Sequence, residues 1–179
     1  MTQPLWTIGH GALSSEAFVG LVASAGVAVV VDVRRRPGSR RHPQFQKAAM
    51  ERWLPEANIA YRWVEALGGH REPSTASPNV GVPEPLRAYA DHLATDDGRA
   101  ALTDVFALAE AMPTAVCCAE ADWRSCHRRV LADAAVVLAA REVRHLTHDG
   151  RWEPHEPDPA ARAVGDVLRY DRGESPLWS

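Results

Sequence analysis

The stretch from Cys117 to Arg129 gathers groups that could do chemistry: thiols at Cys118 and Cys126, a carboxylate at Glu120, an imidazole at His127 and guanidinium groups at Arg124, Arg128 and Arg129. A thiolate is both a nucleophile and a metal ligand, and its pKa falls at a helix N-terminus or beside cations. Ser125 is a candidate N-cap. It would put Cys126 and His127 in the first helical turn, where main-chain N–H groups also favour an anion. Cys126 therefore reads as a nucleophile or anion contact, and equally as a small residue buried at a helix start. Glu120 reads as a general acid or base, or as a partner of Arg124 or Arg128 that shapes the loop. Cys117, out of phase with Cys118 on a strand, reads as core.

A second concentration is one of charge. Arg34, Arg35, Arg36, Arg40, Arg41 and Lys47 fall between Val33 and Met50 with no acid among them, and Pro37-Gly38-Ser39 interrupts the run with a turn able to present N–H groups. The chain of 179 residues has 20 Lys and Arg against 23 Asp and Glu, for a formal charge of −3. A segment at +6 thus leaves −9 for the remainder. This balance excludes a protein that coats nucleic acid through overall basicity and points to a confined pocket for a phosphate or carboxylate. Arg34 is the first choice of anion contact, with Ser39 and Arg40 beside it. Asp32 reads as orienting Arg34 or capping main-chain N–H groups, or as an acid or base. His10, flanked by Gly9 and Gly11, and the pair Gly68-Gly69 suit close approach of a ligand, although a lone histidine is more often structural.

Two other chemistries compete with this one. Cys118, Cys126, His127 and His10 could converge on a metal, but their spacing is unlike the compact cysteine pairs of structural zinc and there is no His-Glu-x-x-His, so neither a metal nor a cofactor is expected. Cys118-x₅-Arg124 between a strand and a helix is the arrangement of cysteine phosphatases and rhodanese-type sulfur carriers, and Asp32-Val33-Arg34 also resembles a rhodanese strand end. Glu120 and Asp122 in that loop, with no glycine, disfavour an anion cradle. A nucleic-acid module without catalysis is a further alternative, with the basic run on phosphates and Trp53, Tyr61 or Trp63 stacking on bases.

The elements that must position these groups alternate between short apolar runs and helix-period stretches, the pattern of an α/β fold. Strands are expected at Leu5 to Ile8, Val27 to Val33, Ile59 to Val64, Thr114 to Cys118 and Val143 to Thr147. Helices are expected after Ser14 or Ser15, from about Phe45 to Glu56, on either side of a turn at Thr95-Asp96-Asp97-Gly98, and from about Cys126 to Ala140. A short amphipathic helix is expected near Arg162 to Arg169. The sum is a single three-layer doubly wound domain over residues 1–150, with five mostly parallel strands and helices on both faces, and a C-terminal extension at 151–179 packing on it. In such sheets ligands bind at the carboxyl ends of the strands, where Gly9-His10-Gly11, Asp32-Val33-Arg34, Leu67-Gly68-Gly69 and Cys118-Ala119-Glu120 emerge.

No apolar run reaches the roughly 20 residues of a membrane span. Three cysteines are too few for a disulfide framework. Met1 to Ala12 has no basic start, long apolar stretch or small-residue cleavage site, so a cytoplasmic location is expected.

Taken in order, Thr7-Ile8-Gly9-His10, Asp32-Val33-Arg34 with Pro37, Ser39, Pro43 and Phe45, then Tyr61, Leu67-Gly68-Gly69, and Cys118-Ala119-Glu120 with Cys126-His127-Arg128 resemble the bacterial family called domain of unknown function 488. The resemblance runs from about Leu5 to His148. It implies a compact α/β domain with these motifs gathered at one rim and no particular reaction. Cys117 is an extra cysteine before the signature, and Arg34-Arg35-Arg36 is more basic than the pattern requires. The expected function is an enzyme, of hydrolase or transferase type, on a small anionic ligand or nucleotide. Arg34, Glu120 and Cys126 would act on it, and His10, Asp32, Pro37, Ser39, Arg40, Tyr61, Gly68, Gly69, Cys118, His127 and Arg128 would surround it.

Overall fold

The computed structural model describes residues 3–171. Met1 and Thr2, the start of the stretch on which the cytoplasmic expectation rests, and residues 172–179 of the expected extension lie outside the described residues.

Six strands form the main sheet in the order β3-β2-β4-β1-β5-β6. They are β1 (Leu5–Gly9), β2 (Val29–Asp32), β3 (Ala60–Trp63), β4 (Thr114–Cys118), β5 (Val143–Leu146) and β6 (Trp152–Pro154). The first five run parallel, and β6 is antiparallel to β5. The α/β reading of the sequence therefore holds, with one strand more than expected. That strand is only three residues long and holds Pro154, so it carries little strand signal of its own.

Successive strand residues point to opposite faces, and the apolar interior divides accordingly. Leu5, Val29, Val31, Val116 and Val143 join one cluster, while Trp6, Ile8, Val30, Ala115 and Leu146 join the other. The first cluster takes its helical residues from α3 (Glu84–Leu93), α4 (Asp96–Ala111) and α5 (Arg128–Ala139), for example Tyr89, Leu102 and Leu131. The second takes them from α1 (Ser15–Ser24) and α2 (Lys47–Glu56), through Phe18, Val22, Met50 and Leu54. Each aliphatic side chain so buried contributes about 1.5–3 kcal/mol. Among the described residues no helix is long and apolar enough to cross a membrane.

Local boundaries follow capping chemistry. Ser14 Oγ accepts from Ala17 N to start α1, and Gly26, at φ +67°, turns the chain away after it. Thr95 Oγ1 accepts from Gly98 N, so Asp96, Asp97 and Gly98 form the first turn of α4 rather than the expected connection, with two carboxylates favourably placed at the helix N-terminus. The helix expected from Phe45 starts at Lys47, because Pro43–Phe45 is a separate 3₁₀ turn and Gln46 is extended. The helix expected near Arg162 to Arg169 is instead a hairpin of β7 (Arg162–Val164) and β8 (Val167–Arg169), joined through Gly165 at φ +63°.

Strand order matters most at the carboxyl ends. β4 lies between β2 and β1, with Asp32 level with Cys117 and Gly9 level with Cys118. The turns that leave β1, β2 and β4 therefore emerge side by side.

Candidate functional site

The turn after β2 is built around a buried ion pair. Asp32 Oδ1 accepts from Arg34 N at 3.0 Å and Arg34 Nε at 2.9 Å, and Oδ2 accepts from Arg34 Nη2 at 2.5 Å and Tyr61 OH at 2.8 Å. His10 Nδ1 lies 2.9 Å from the Gly11 carbonyl, which can only accept, so that nitrogen carries the proton and Nε2 receives Arg34 Nη1 at 3.2 Å. Burial lowers the His10 pKa to about 4, the Gly11 carbonyl opposes this, and the Arg34 charge adds to it, so the ring is neutral. Burial would lower the Arg34 pKa, but the Asp32 carboxylate outweighs it and raises it. Tyr61 is raised by burial and by the same carboxylate. His10 also stacks on Phe45, with ring centroids 4.2 Å apart.

Arg34 is thus largely spoken for, and its neighbours are more open. Arg35 Nη1 donates to the His70 carbonyl at 2.7 Å, and the Arg36 side chain is exposed with no hydrogen bond or ion pair among the described residues. Pro37 is buried, and its carbonyl receives Lys47 N. Ser39 Oγ accepts from His42 N at 3.0 Å, and Arg40 is exposed, away from the clefts described here. Gly68 is needed for contact: a Cβ there would sit 2.5 Å from Arg35 Cα.

The loop after β4 differs from its expected form. Asp122 accepts from Arg124 N and caps a 3₁₀ turn at Trp123–Ser125, Cys126 is extended, and α5 begins at Arg128. Ser125 therefore caps nothing, and Cys126 and His127 precede the helix instead of forming its first turn. They bend back onto the end of β4. Cys118 Sγ donates to Glu120 Oε2 at 2.9 Å and Cys126 Sγ lies 3.3 Å from the same oxygen, while His127 Nδ1 lies 3.7 Å from Cys118 Sγ and 3.6 Å from Cys126 Sγ. Arg128, itself buried, donates from N and Nε to Cys126 Sγ at 3.5 and 3.4 Å and from Nη2 to the Glu120 carbonyl.

These surroundings split the two thiols. Cys118 is raised by its hydrogen bond to Cys126, by burial and by the Glu120 charge. Burial alone would raise Cys126 too, but Cys118, His127 and Arg128 stabilise its thiolate and hold it far below the ordinary thiol range. Cys117 points to the other face and is raised by burial to about 12, as befits core.

Three clefts open here, and one of about 250 Å³ joins Ser125, Cys126, Glu120 and His127 with Arg71. Another, of about 340 Å³, brings Arg34, Arg35 and Arg36 together with Gly69, Cys118, Glu120 and His127. A shallower one of about 450 Å³ joins His10, Arg34 and Ser39. Tyr61 stands behind Asp32, and Arg128 behind the thiols. Arg124 turns to Asp122 and Glu153 rather than to Cys118, whose nearest partner is a carboxylate. Of the three aromatics considered for stacking, Trp53 packs on Phe18 and Phe45 and Tyr61 is tied to Asp32, which leaves Trp63.

A buried polar chain has no counterpart in the sequence reading. Asp133 Oδ1 is 2.8 Å from His155 Nε2, His155 Nδ1 is 3.0 Å from His145 Nε2, and His145 Nδ1 is 2.6 Å from Thr7 Oγ1. Trp123 stacks on His145 at 3.9 Å and so anchors the thiol-bearing loop. No short-range signal marks this chain, because it joins residues 138 positions apart.

Fold and site together define an α/β domain with a thiol, imidazole and carboxylate cluster beside an arginine-lined cleft at the carboxyl ends of parallel strands. The model of the family described as Domain of unknown function DUF488 matches residues 14–135, and the chain belongs to that family. The matched span holds every motif from Asp32-Val33-Arg34 to Cys126-His127-Arg128, while Thr7 to His10 precede it. No curated protein and no solved structure matches the chain.

Proposed function

We propose that this domain is an enzyme of hydrolase or transferase type that acts on a phosphate-bearing anion, such as a nucleotide, at the carboxyl ends of β1, β2 and β4. The observation that supports this reading is the sharing of one 340 Å³ cleft by Arg35 and Arg36 with Cys118, Glu120 and His127. Guanidinium groups beside a turn recognise phosphate, and a carboxylate at the same wall supplies an acid or base. In this reading Arg36 and Arg35 hold the anion, and Arg34, fixed by Asp32, sets the shape of the cleft floor. Glu120 exchanges the proton, and Cys118 rather than Cys126 is the thiol that a ligand in this cleft meets.

Arg36→Ala is the cleaner probe, because Arg34 has a structural partner. Titration calorimetry with inorganic phosphate and a panel of nucleotides should show binding by the native chain, loss of binding in Arg36→Ala and an unchanged thermal midpoint. Glu120→Gln should slow any turnover of the bound nucleotide by about 10²-fold or more. Absence of binding at low ionic strength, or equal affinity in Arg36→Ala, overturns the reading. Affinity for DNA or RNA that falls linearly with the logarithm of salt would favour the nucleic-acid module instead.

A further inference from the structure

Four electron-pair donors meet at one point of this molecule. Cys118 Sγ, Cys126 Sγ, His127 Nδ1 and a Glu120 carboxylate oxygen all lie within 4.8 Å of one another, although the sequence separates Cys118 from His127 by a loop with no metal-binding spacing. We infer that this cluster is a metal site for a single zinc-class divalent cation, ligated by Cys118, Cys126 and His127 with Glu120 in the fourth position.

The distances suit that ion. Tetrahedral zinc with ordinary Zn–S and Zn–N bonds separates sulfur from nitrogen by about 3.6 Å. The two Sγ to Nδ1 separations are 3.7 and 3.6 Å. Glu120 Oε2 stands closer to the sulfurs, at 2.9 and 3.3 Å, and shares their side of the cluster. Loading the site displaces the proton of Cys118, and any that Cys126 carries, to solvent, and the cation takes its place between sulfur and oxygen.

The surroundings are arranged as metal sites require. His127 Nε2 is 2.9 Å from the Val33 carbonyl, which only accepts, so Nε2 carries a proton and Nδ1 is the nitrogen that faces the two sulfurs. Gly69 makes room for that ring, since a Cβ there would lie 2.8 Å from Nδ1. Three anionic donors around a dication leave one negative charge, and the buried Arg128 offsets it through N–H bonds to Cys126 Sγ. Two sulfurs, one nitrogen and one oxygen select a borderline cation such as zinc over magnesium or calcium. Both thiols are buried, whereas Glu120 is exposed on the arginine cleft, so the carboxylate is the ligand that can yield its position to a water or a ligand oxygen. The inference rests on the donor set alone, and either it or the anion reading can fail without the other.

Elemental analysis of the full chain, purified under reducing conditions without chelator, should find one zinc per chain. Exchange for Co(II) should give sulfur-to-cobalt charge-transfer absorption and the intense visible bands of a tetrahedral site. Cys118→Ser and Cys126→Ser should each weaken that charge-transfer band or lose the metal, and Glu120→Gln, at an exposed position, should keep the band while shifting the visible ones. The native cobalt spectrum needs no variant, so a cysteine variant that fails to fold does not spoil the test. Reduced native protein that takes up neither zinc nor cobalt, or a cobalt spectrum without a thiolate band, overturns the inference. A Cys118–Cys126 disulfide in protein purified without oxidant overturns it as well. Phosphate binding measured on the same preparations reports separately on the anion reading.

Discussion

Asp32 holds Arg34 in a two-point grip, Nε to Oδ1 at 2.9 Å and Nη2 to Oδ2 at 2.5 Å, with the carboxylate fully buried and the guanidinium nearly so. Removing one member of such a pair leaves the other buried and uncompensated, which costs about 3–5 kcal/mol. Asp32→Ala should therefore lower unfolding stability in urea by that amount. Tyr61→Phe, which removes one neutral donor to the same carboxylate, should cost about 1 kcal/mol. Equal and small effects from both substitutions would show that the pair does not hold the turn.

Acid should destabilise the fold before most carboxylates titrate. His10 is lowered from 6.5 to about 4, with Arg34, Asp32 and His42 around it, and His145 from 6.5 to about 2 by burial, His155, Arg128 and Arg124. As pH falls through 6.5 the unfolded chain takes up protons that these two rings refuse, so stability declines by about 1.4 kcal/mol per pH unit for each ring. Above pH 6.5 neither ring contributes a slope. Urea unfolding between pH 5 and 8 should be flat at the upper end and fall below 6.5, and His10→Asn should make that fall shallower. A native profile flat from pH 8 to 5 would contradict the burial of both rings as neutral groups.

The strand ends were readable because each couples an apolar run to a glycine or a charge: Ile8 to Gly9, Val31 to Asp32 and Arg34, Cys117 to Glu120. Burial on both faces forces such runs, and the parallel sheet follows. The hairpin is hidden in the sequence, since Ala163, Val164, Val167 and Leu168 satisfy a helical period as well as two short strands. The deciding signal was the Gly165-Asp166 pair between them, a two-residue hairpin turn in which Gly165 takes positive φ. The donor cluster was hidden for a different reason. Spacing rules describe ligands on one tight turn, whereas here the Asp122-capped 3₁₀ turn folds Cys126 and His127 back over Cys118, a tertiary event.

Glycines at the rim separate close packing from mere turning. A Cβ on Gly9 would lie 1.7 Å from the Glu120 carbonyl oxygen, and backbone cannot yield as a side chain can, whereas Gly38 has nothing within 4 Å. Gly9→Ala should displace the loop that carries Glu120 and cost about 1–3 kcal/mol or more. Gly38→Ala should leave the thermal midpoint within a degree or two of native, on the order of the few tenths of a kcal/mol typical of open surface positions. Matching midpoints for the two variants would mean that the β1 and β4 turns are not in contact.

Asp133 gathers several of the bonds that fasten the segment after β6, beside the Arg129–Asp158 and Arg99–Asp166 ion pairs. Asp133 on α5 accepts from Tyr170 OH at 2.5 Å, from His155 Nε2 at 2.8 Å and from Asp158 N at 2.9 Å, and Tyr170 N reaches Asn79 Oδ1 at 2.9 Å. All three donors to Asp133 come from residues 155–170, so the buried carboxylate is a common anchor. Asp133→Ala should release them together, and each donor left unpaired in a buried place costs about 1–3 kcal/mol. Hydrogen exchange should then show lost protection across residues 155–170 while the amides of β1 and β4 stay slow. Tyr170→Phe removes a single donor and should loosen β7 and β8 to a lesser degree. If Asp133→Ala unfolded β1 and β4 along with this segment, the carboxylate would belong to the core of the sheet and not to the anchoring of the extension.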